Sequence, residues 1–285
     1  MTTALSIRAV AIVEDRKETD KEAMMDLFEN YRNLYTLTDR VALIAGGAGG
    51  IGSVVAEGLV AFGATVVILD RDTTKAESLV QKIKAAGGKA VAIFLDATNV
   101  KEVNQSVAEV IRQFDRADIL VNCVGTHIEA PAEEYKEADW DKVLEVNLKA
   151  AFFLSQAVAK VQISSGGGKH IHITSLRSIL GIHRGYSSYC ASKGAMNMMV
   201  RQLATEWAKY NIKVNGIAPT FTRTALVKKY LEDPDFYQPL VSRIPLGRIC
   251  EPIDLAGLVI YLSVPASDFI TGQIIVADGG LSACQ

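Results

Sequence analysis

Tyr189 and Lys193 stand four residues apart in the run Tyr-Cys-Ala-Ser-Lys. On a helix that spacing puts both side chains on one face. A phenol titrates near 10, too high for a base at neutral pH. A neighbouring ammonium stabilises the phenolate and lowers that value. The positive charge of an oxidised nicotinamide would push the same way. Such a tyrosinate can take the proton of an alcohol as hydride leaves the carbon, and return it in the reverse reaction. The spacing alone is common, and an exposed helical pair would look the same, so its weight depends on the rest of the chain.

The rest supplies a place for a dinucleotide. The apolar run Val41–Ala45 leads directly into Gly46-Gly47-Ala48-Gly49-Gly50-Ile51-Gly52. Glycines let the backbone turn tightly and approach a pyrophosphate, and the helix that follows aims its unpaired N–H groups at the phosphates. Asp70 ends the next apolar run, eighteen positions after Gly52. A carboxylate there accepts hydrogen bonds from ribose hydroxyls and repels a 2′-phosphate, which favours NAD. Arg71 beside it would instead meet a 2′-phosphate, so NADP stays open. Asp96 and Ala97 follow the third apolar run and Asn122 to Gly125 the fourth, where ligands sit in open parallel sheets.

These residues need a scaffold of alternating elements. Strands are expected at 41–45, 65–69, 90–95, 119–122, 170–174, 213–217 and 274–277. Helices are expected after the glycines to Phe62 and at 75–86, 100–114, 140–161, 189–209 and 255–262. Apolar strands separated by helices predict an α/β fold: a single doubly wound, Rossmann-type parallel sheet of about seven strands with helices on both faces. Residues 35–285 read as that one domain. Residues 1–34 read as an N-terminal arm, in which 23–34 is an amphipathic helix through Met24, Leu27, Phe28 and Tyr31. The arm is expected to pack on the domain or on another subunit. A partner-binding or substrate-capping segment is the alternative.

Composition narrows the class. Hydrophobic residues are 49% and charged residues 22%, enough for a sizeable core. Lys+Arg 30 against Asp+Glu 32 gives a net charge of -2, which offers nothing to nucleic acid or an anionic membrane. Charges from Arg8 to Asp20 break any secretory signal, and the glycine-rich stretch 41–56 is short for a span. Cys123, Cys190, Cys250 and Cys284 are far apart without a CxxC pair, so reduced thiols in a cytoplasmic protein are expected rather than a disulfide framework or zinc site. His170 and His172 share a strand face but lack a third ligand nearby, and are read as packing residues, with no metal expected.

Taken in order, these motifs resemble the short-chain dehydrogenase/reductase family from about Arg40 to Gly280. The resemblance is carried by the Gly46/Gly50/Gly52 loop, Asp70, Asp96, Asn122–Gly125, Asn147 within VNLKA, Ser175, and Tyr189 with Lys193. Asn215–Pro219, Thr224 and Asp278-Gly279-Gly280 add to it. It implies that Ser175 steadies the substrate oxygen, Tyr189 is the acid/base, and Lys193 lowers the Tyr189 pKa and binds the nicotinamide ribose. It further implies that Asn147 holds a relay water and that Pro219, Thr222 and Thr224 lie by the carboxamide. A small-molecule substrate, a homotetramer or homodimer and no catalytic metal are implied too. The sequence departs from the family at Ala45, Cys123, Val124 and Thr220, and its Ser175–Tyr189 gap of fourteen is one longer than usual, which reshapes the substrate loop.

Arg177, His183 and Arg184 in that loop, with Lys228, Lys229 and Arg243 further on, are cations able to hold a carboxylate, since Arg offers a bidentate fork. Together with resemblance to gluconate and ketodeoxygluconate dehydrogenases in EWAKYNIKVNGIAP and RIPLGR, they point to a sugar acid or polyol. The alternatives are an NADP-dependent 3-oxoacyl thioester reductase, a dinucleotide-sensing protein without chemistry, and a mainly structural subunit. A Ser–His–Asp hydrolase is set aside, because no G-x-S-x-G elbow exists and the glycine loop would have no purpose.

Overall fold

The computed structural model describes residues 24–284. Residues 1–23 of the expected arm lie outside the described residues. The part that is described is helical over 24–33 (α1), and its Met24, Met25, Leu27, Phe28 and Tyr31 side chains are exposed. This face is therefore not packed on its own domain. The chain joins the domain where Ala266 donates to the Leu34 carbonyl and Leu37 to that of Phe62.

Seven strands follow: β1 Val41–Ala45, β2 Thr65–Asp70, β3 Lys89–Phe94, β4 Ile119–Asn122, β5 Gly168–Ile173, β6 Ile212–Pro219 and β7 Ile274–Ala277. All pair in parallel, in the order β3-β2-β1-β4-β5-β6-β7. The central strands are apolar on both faces because both faces are covered. On one side α2 (Gly50–Ala61), α3 (Thr73–Ala85) and α10 (Pro252–Ser263) bury Val55, Leu59, Val80 and Val259 against Ile44, Ile68 and Val121. On the other, α4 (Val100–Phe114) and α6 (Ala150–Ser164) bury Val103, Val107 and Leu154 against Leu43, Leu69 and Leu120. Each such fully buried side chain contributes roughly 1.5–3 kcal/mol. This is the doubly wound sheet expected from the alternation.

Three departures from the expected elements matter. The helix expected over 140–161 is two helices, α5 (Glu137–Leu144) and α6, joined by a π-helical turn at Glu145–Lys149. The helix expected to start at 189 begins earlier, as α7 (Ser187–Trp207). Between β6 and α10 stand two short helices absent from the expectation, α8 (Lys228–Leu231) and α9 (Pro234–Ser242). Pro239 inside α9 and the shortness of α8 leave little 3.6-residue periodicity to read.

Candidate active site

The chain runs from β1 outward through β2 and β3, then crosses back to β4 on the other side of β1. That reversal opens a crevice beyond the carboxyl ends of β1 and β4. One wall of the crevice is the glycine loop. Gly46 adopts φ +69° and donates to the Leu69 carbonyl at 2.9 Å. A Cβ on Gly52 would sit 2.3 Å from the Gly46 carbonyl oxygen, so only glycine lets α2 start this close to the strand. One on Gly50 would fall 2.9 Å from Thr224 Cγ2. The N-cap of α2, Gly49, carries no side-chain cap, which leaves the first N–H groups of the helix open. These features fit a bound pyrophosphate.

Asp70 closes β2. Its Oδ2 accepts from the Ala48 N–H and its Oδ1 from the Asp72 N–H, both at 3.0 Å, so the carboxylate ties β2 to the glycine loop. Each oxygen keeps a second lone pair for a ribose hydroxyl. Arg71 is exposed beside it. Asp96 accepts from the Thr98 hydroxyl at 2.7 Å and amide at 2.9 Å, and these bonds hold its carboxyl below the usual range. Ala97 is buried in the core beneath α4. Asn122 is buried and its Oδ1 accepts from Val124 N–H at 3.1 Å, which fixes the turn leading to Gly125.

The crevice continues into a cleft whose lining includes Ile51, Gly125, Ser175, Arg177, Tyr189, Lys193, Pro219, Thr222 and Thr224. Ser175 follows β5, is buried, and accepts the Arg177 N–H at 3.1 Å. Burial pushes the Tyr189 phenol above its ordinary pKa, and a hydrogen bond with Ser175 opposes the rise. Lys193 is 3% exposed and donates to the Ile173 carbonyl at 2.9 Å, with its ammonium 5.8 Å from the Tyr189 ring centre. Burial brings its pKa down to about 8. The expected depression of the Tyr189 pKa by Lys193 is thus not a property of the protein by itself. The ammonium is aimed at a carbonyl, and desolvation of the phenolate dominates. The resting group is a protonated phenol.

Asn147 sits in the π turn, fully buried. Its Oδ1 accepts from Thr126 N–H at 2.7 Å, and its Nδ2 donates to the Thr126 carbonyl and to Ser192 Oγ at 3.0 and 2.9 Å. Both amide hydrogens are committed, so the side chain locks the β4 loop to α7. A Cβ on Gly125 would stand 3.6 Å from both Asn147 Oδ1 and Lys193 Nζ, which places the three residues side by side.

Of the expected substrate cations whose side chains are described, only Arg177 lines the cleft. Its Nη1 donates to the Gly181 and Leu180 carbonyls at 2.7 and 3.4 Å, which leaves the other guanidinium N–H groups without a partner among the described residues. His183 and Arg184 lie outside the cleft, at a separate outer depression shared with Arg243. Arg184 is already occupied: its Nε donates to Glu129 Oε1 at 2.7 Å, and its guanidinium stacks 4.8 Å from both the Tyr230 and Phe236 ring centres. Lys228 pairs at the surface with Glu232. Four residues that sequence reasoning missed belong to this neighbourhood. His127, Tyr186 and Tyr230 line the cleft, and Glu129 stands behind Tyr230, whose hydroxyl donates to Glu129 Oε2 at 2.6 Å.

His170 and His172 are fully buried under the cleft floor. His172 meets Asn122 Nδ2 and Ser155 Oγ, while His170 Nε2 meets Gln162 Oε1 at 2.9 Å. Burial lowers His170 to about 3 and His172 to about 4, so both are neutral.

Comparison with known proteins adds an independent line. A family model described as enoyl-(acyl carrier protein) reductase matches residues 46–282. Gluconate 5-dehydrogenase of Gluconobacter oxydans is 35% identical over 253 residues, 89% of this chain and 98% of that protein. A gluconate 5-dehydrogenase of Burkholderia cenocepacia, solved in complex with NADP and tartrate, superposes with a TM-score of 0.86 at 36% identity, covering 89% of this chain and 99% of that one. A 7α-hydroxysteroid dehydrogenase solved with NADH and a 7-oxo bile acid superposes with a TM-score of 0.83 at 33% identity, over 87% and 96%.

Proposed function

The chain belongs to the short-chain dehydrogenase/reductase family, and we propose that it interconverts a secondary alcohol and a ketone on a small sugar acid or polyol, with NAD as the preferred cofactor. The observation that carries this is the meeting of Ser175, Tyr189, Lys193 and Arg177 in one cleft that opens from the glycine cradle. The nicotinamide supplies or accepts the hydride when bound. The protein supplies everything else. Ser175 Oγ hydrogen-bonds the substrate oxygen. Tyr189 passes the proton at its hydroxyl. Its phenol is poised high at rest, so it becomes a base only when positive charge arrives at the cleft floor. Lys193, buried at that floor, would bind the nicotinamide ribose and so seat the ring that carries the charge. Asn147 holds the β4 loop so that Gly125 leaves room beside the ammonium.

Arg177 supports the acid reading. Its unpartnered N–H groups form a fork for a carboxylate, and tartrate, bound by the Burkholderia relative, is a hydroxy acid. The two solved relatives carry NADP and NADH respectively, so the choice falls to local charge. The Asp70 carboxylate at the end of β2 would accept the ribose hydroxyls and repel a 2′-phosphate, which supports NAD over the pull of the exposed Arg71 beside it. We read residues 35–285 as the catalytic domain and 1–34 as an arm. We expect a homotetramer or homodimer in the cytoplasm. Exposed Met198, Ile253 and Phe269 support assembly, and four unpaired cysteines support a reducing compartment.

Side-by-side fluorescence titration with NADH and NADPH, followed by a screen of sugar acids and polyols, tests the proposal. Tighter NADH binding with turnover of a sugar acid or polyol is expected. NADPH preference with turnover of 3-oxoacyl thioesters would replace it with the reductase of lipid synthesis. Binding without turnover of either would leave a dinucleotide sensor.

A further inference from the structure

Three segments distant in sequence meet around one carboxylate. Glu129 comes from the loop after β4, Arg184 from the loop between β5 and α7, and Tyr230 from α8 in the 225–242 lobe. Glu129 Oε1 accepts from Arg184 Nε at 2.7 Å and Oε2 accepts from the Tyr230 hydroxyl at 2.6 Å. The guanidinium also lies over Tyr230 and Phe236, at 4.8 Å from each ring centre. Phe236 and Tyr230 pack on each other and on Phe221, with ring centres 5.3 to 6.3 Å apart. The ion pair is neither solvated nor deeply buried, since the Arg184 and Glu129 side chains are 29% and 24% exposed. In that setting a charge-assisted bond keeps more of its strength than at the surface.

The inner edge of this cluster faces the chemistry. Tyr230 and Tyr186 line the cleft, are 5% and 6% exposed, and hydrogen-bond each other. Tyr186 stacks at 4.0 Å on His127 and packs edge-on against Tyr189 at 6.0 Å. Beyond the packing of Leu231, Tyr237, Leu240 and Val241 on the Ile244 cluster, it is this cluster that ties the lobe to the two loops carrying the rest of the wall.

We propose that Glu129 and Arg184 are positioning residues that latch the 225–242 lobe and so set where the Tyr230 and Tyr186 hydroxyls meet the substrate. Neither residue touches the reacting atoms. Both act through Tyr230. The role in substrate binding rests on the hydride-transfer reading above, whereas the latching of the lobe does not.

The test compares wild type, Glu129→Ala, Arg184→Ala, the double variant and Glu129→Gln, on the full chain. For the best sugar acid or polyol, each alanine variant is expected to raise KM about tenfold or more, the size of one lost charge-assisted bond. kcat should change less than KM, and NADH affinity should move by less than about twofold, as for a site outside the cofactor's contacts. The double variant should match the worse single, because the pair works as a unit. Glu129→Gln keeps an acceptor for Tyr230 and should fall between, which guards against a folding defect in the alanine variant. Multiplying single effects, or an unchanged KM, would overturn the positioning role. Hydrogen exchange in the cofactor-free protein reads the latch without any turnover. Faster exchange confined to 225–242 in Glu129→Ala is expected, and unchanged exchange there would overturn the latch. Faster exchange in a protein whose wild type turns over no alcohol or ketone would keep the latch and sink the hydride reading instead.

Discussion

Two buried lysines act at opposite ends of β5, and they are treated differently. Lys169, near the amino end, is 8% exposed and spends its ammonium on three acceptors: the Val264 carbonyl at 2.6 Å, Ser267 Oγ at 2.8 Å and Asp268 Oδ1 at 2.9 Å. Lys193 reaches the carboxyl end of the same strand, where Ile173 is its one hydrogen-bond acceptor and no carboxylate pairs with it among the described residues. Burial lowers both pKa values, but Asp268 opposes the fall at Lys169, whereas Lys193 drops to about 8. A structural ammonium is saturated with partners. One left short of them retains donors for a ligand and a charge that an incoming group can feel. The two ends of one strand thus separate holding the sheet together from preparing for chemistry.

The contrast can be broken by mutation, and the largest effect is expected just beyond Lys193. Tyr189→Phe should lower kcat by about a thousandfold or more while sparing NADH binding, since it removes the proton carrier alone. Steady-state turnover beside a binding titration would check it, and near-normal turnover would sink the mechanism. Lys193→Met should cost roughly a hundredfold or more in kcat and leave the melting temperature unchanged or raised, because an underpaired buried charge is removed. Lys169→Met should do the reverse, keeping kcat but losing about 1–3 kcal/mol of stability as the buried contacts to Val264, Ser267 and Asp268 are lost together. Denaturant titration would reveal the two lysines as equivalent if both variants lost stability alike.

The smallest effect sharpens the picture of the floor between the lysines. His170 and His172 are neutral in the fold, at about 3 and about 4, against an ordinary value near 6.5. Once unfolded they take up protons below about pH 6.5, so unfolding binds protons and stability falls as pH falls from there toward pH 4. Each contributes a slope of roughly 1.4 kcal/mol per pH unit in that window. Replacing His172 with Gln should flatten the acid limb of a stability-versus-pH curve by one such slope, and an unaltered slope would mean the ring is charged in the fold.

Much of the scaffold was legible because its signals are local. The runs 119–121 and 274–277 are continuously apolar, and the glycine loop announces both a turn and a helix start. Tyr189 and Lys193 were legible for the same reason, sharing one helix. Glu129, Arg184 and Tyr230 were not: Glu129 and Tyr230 lie 101 residues apart, and each alone looks like a solvated loop residue. Arg184 was read as a substrate cation because its neutralising partner is brought near only by the fold. The π turn was also hidden, since one added residue leaves the apolar pattern nearly intact while shifting its phase.

That turn bears on how the protein tolerates change in length. An α-helix advances 100° per residue, and the turn at Glu145–Lys149 accommodates one residue more than an α-helical turn would. α5 and α6 are each fixed by their own neighbours, so neither can rotate to absorb a missing position. A deletion anywhere from 145 to 149 would restore regular winding and swing Asn147 away from Thr126 and Ser192. Substitutions at the half-buried Glu145 or the exposed Lys149 leave the phase untouched. In this stretch of the chain the conserved quantity is expected to be the spacing between two helices, and a library that varies identity there should yield many folded members where one that varies length yields few.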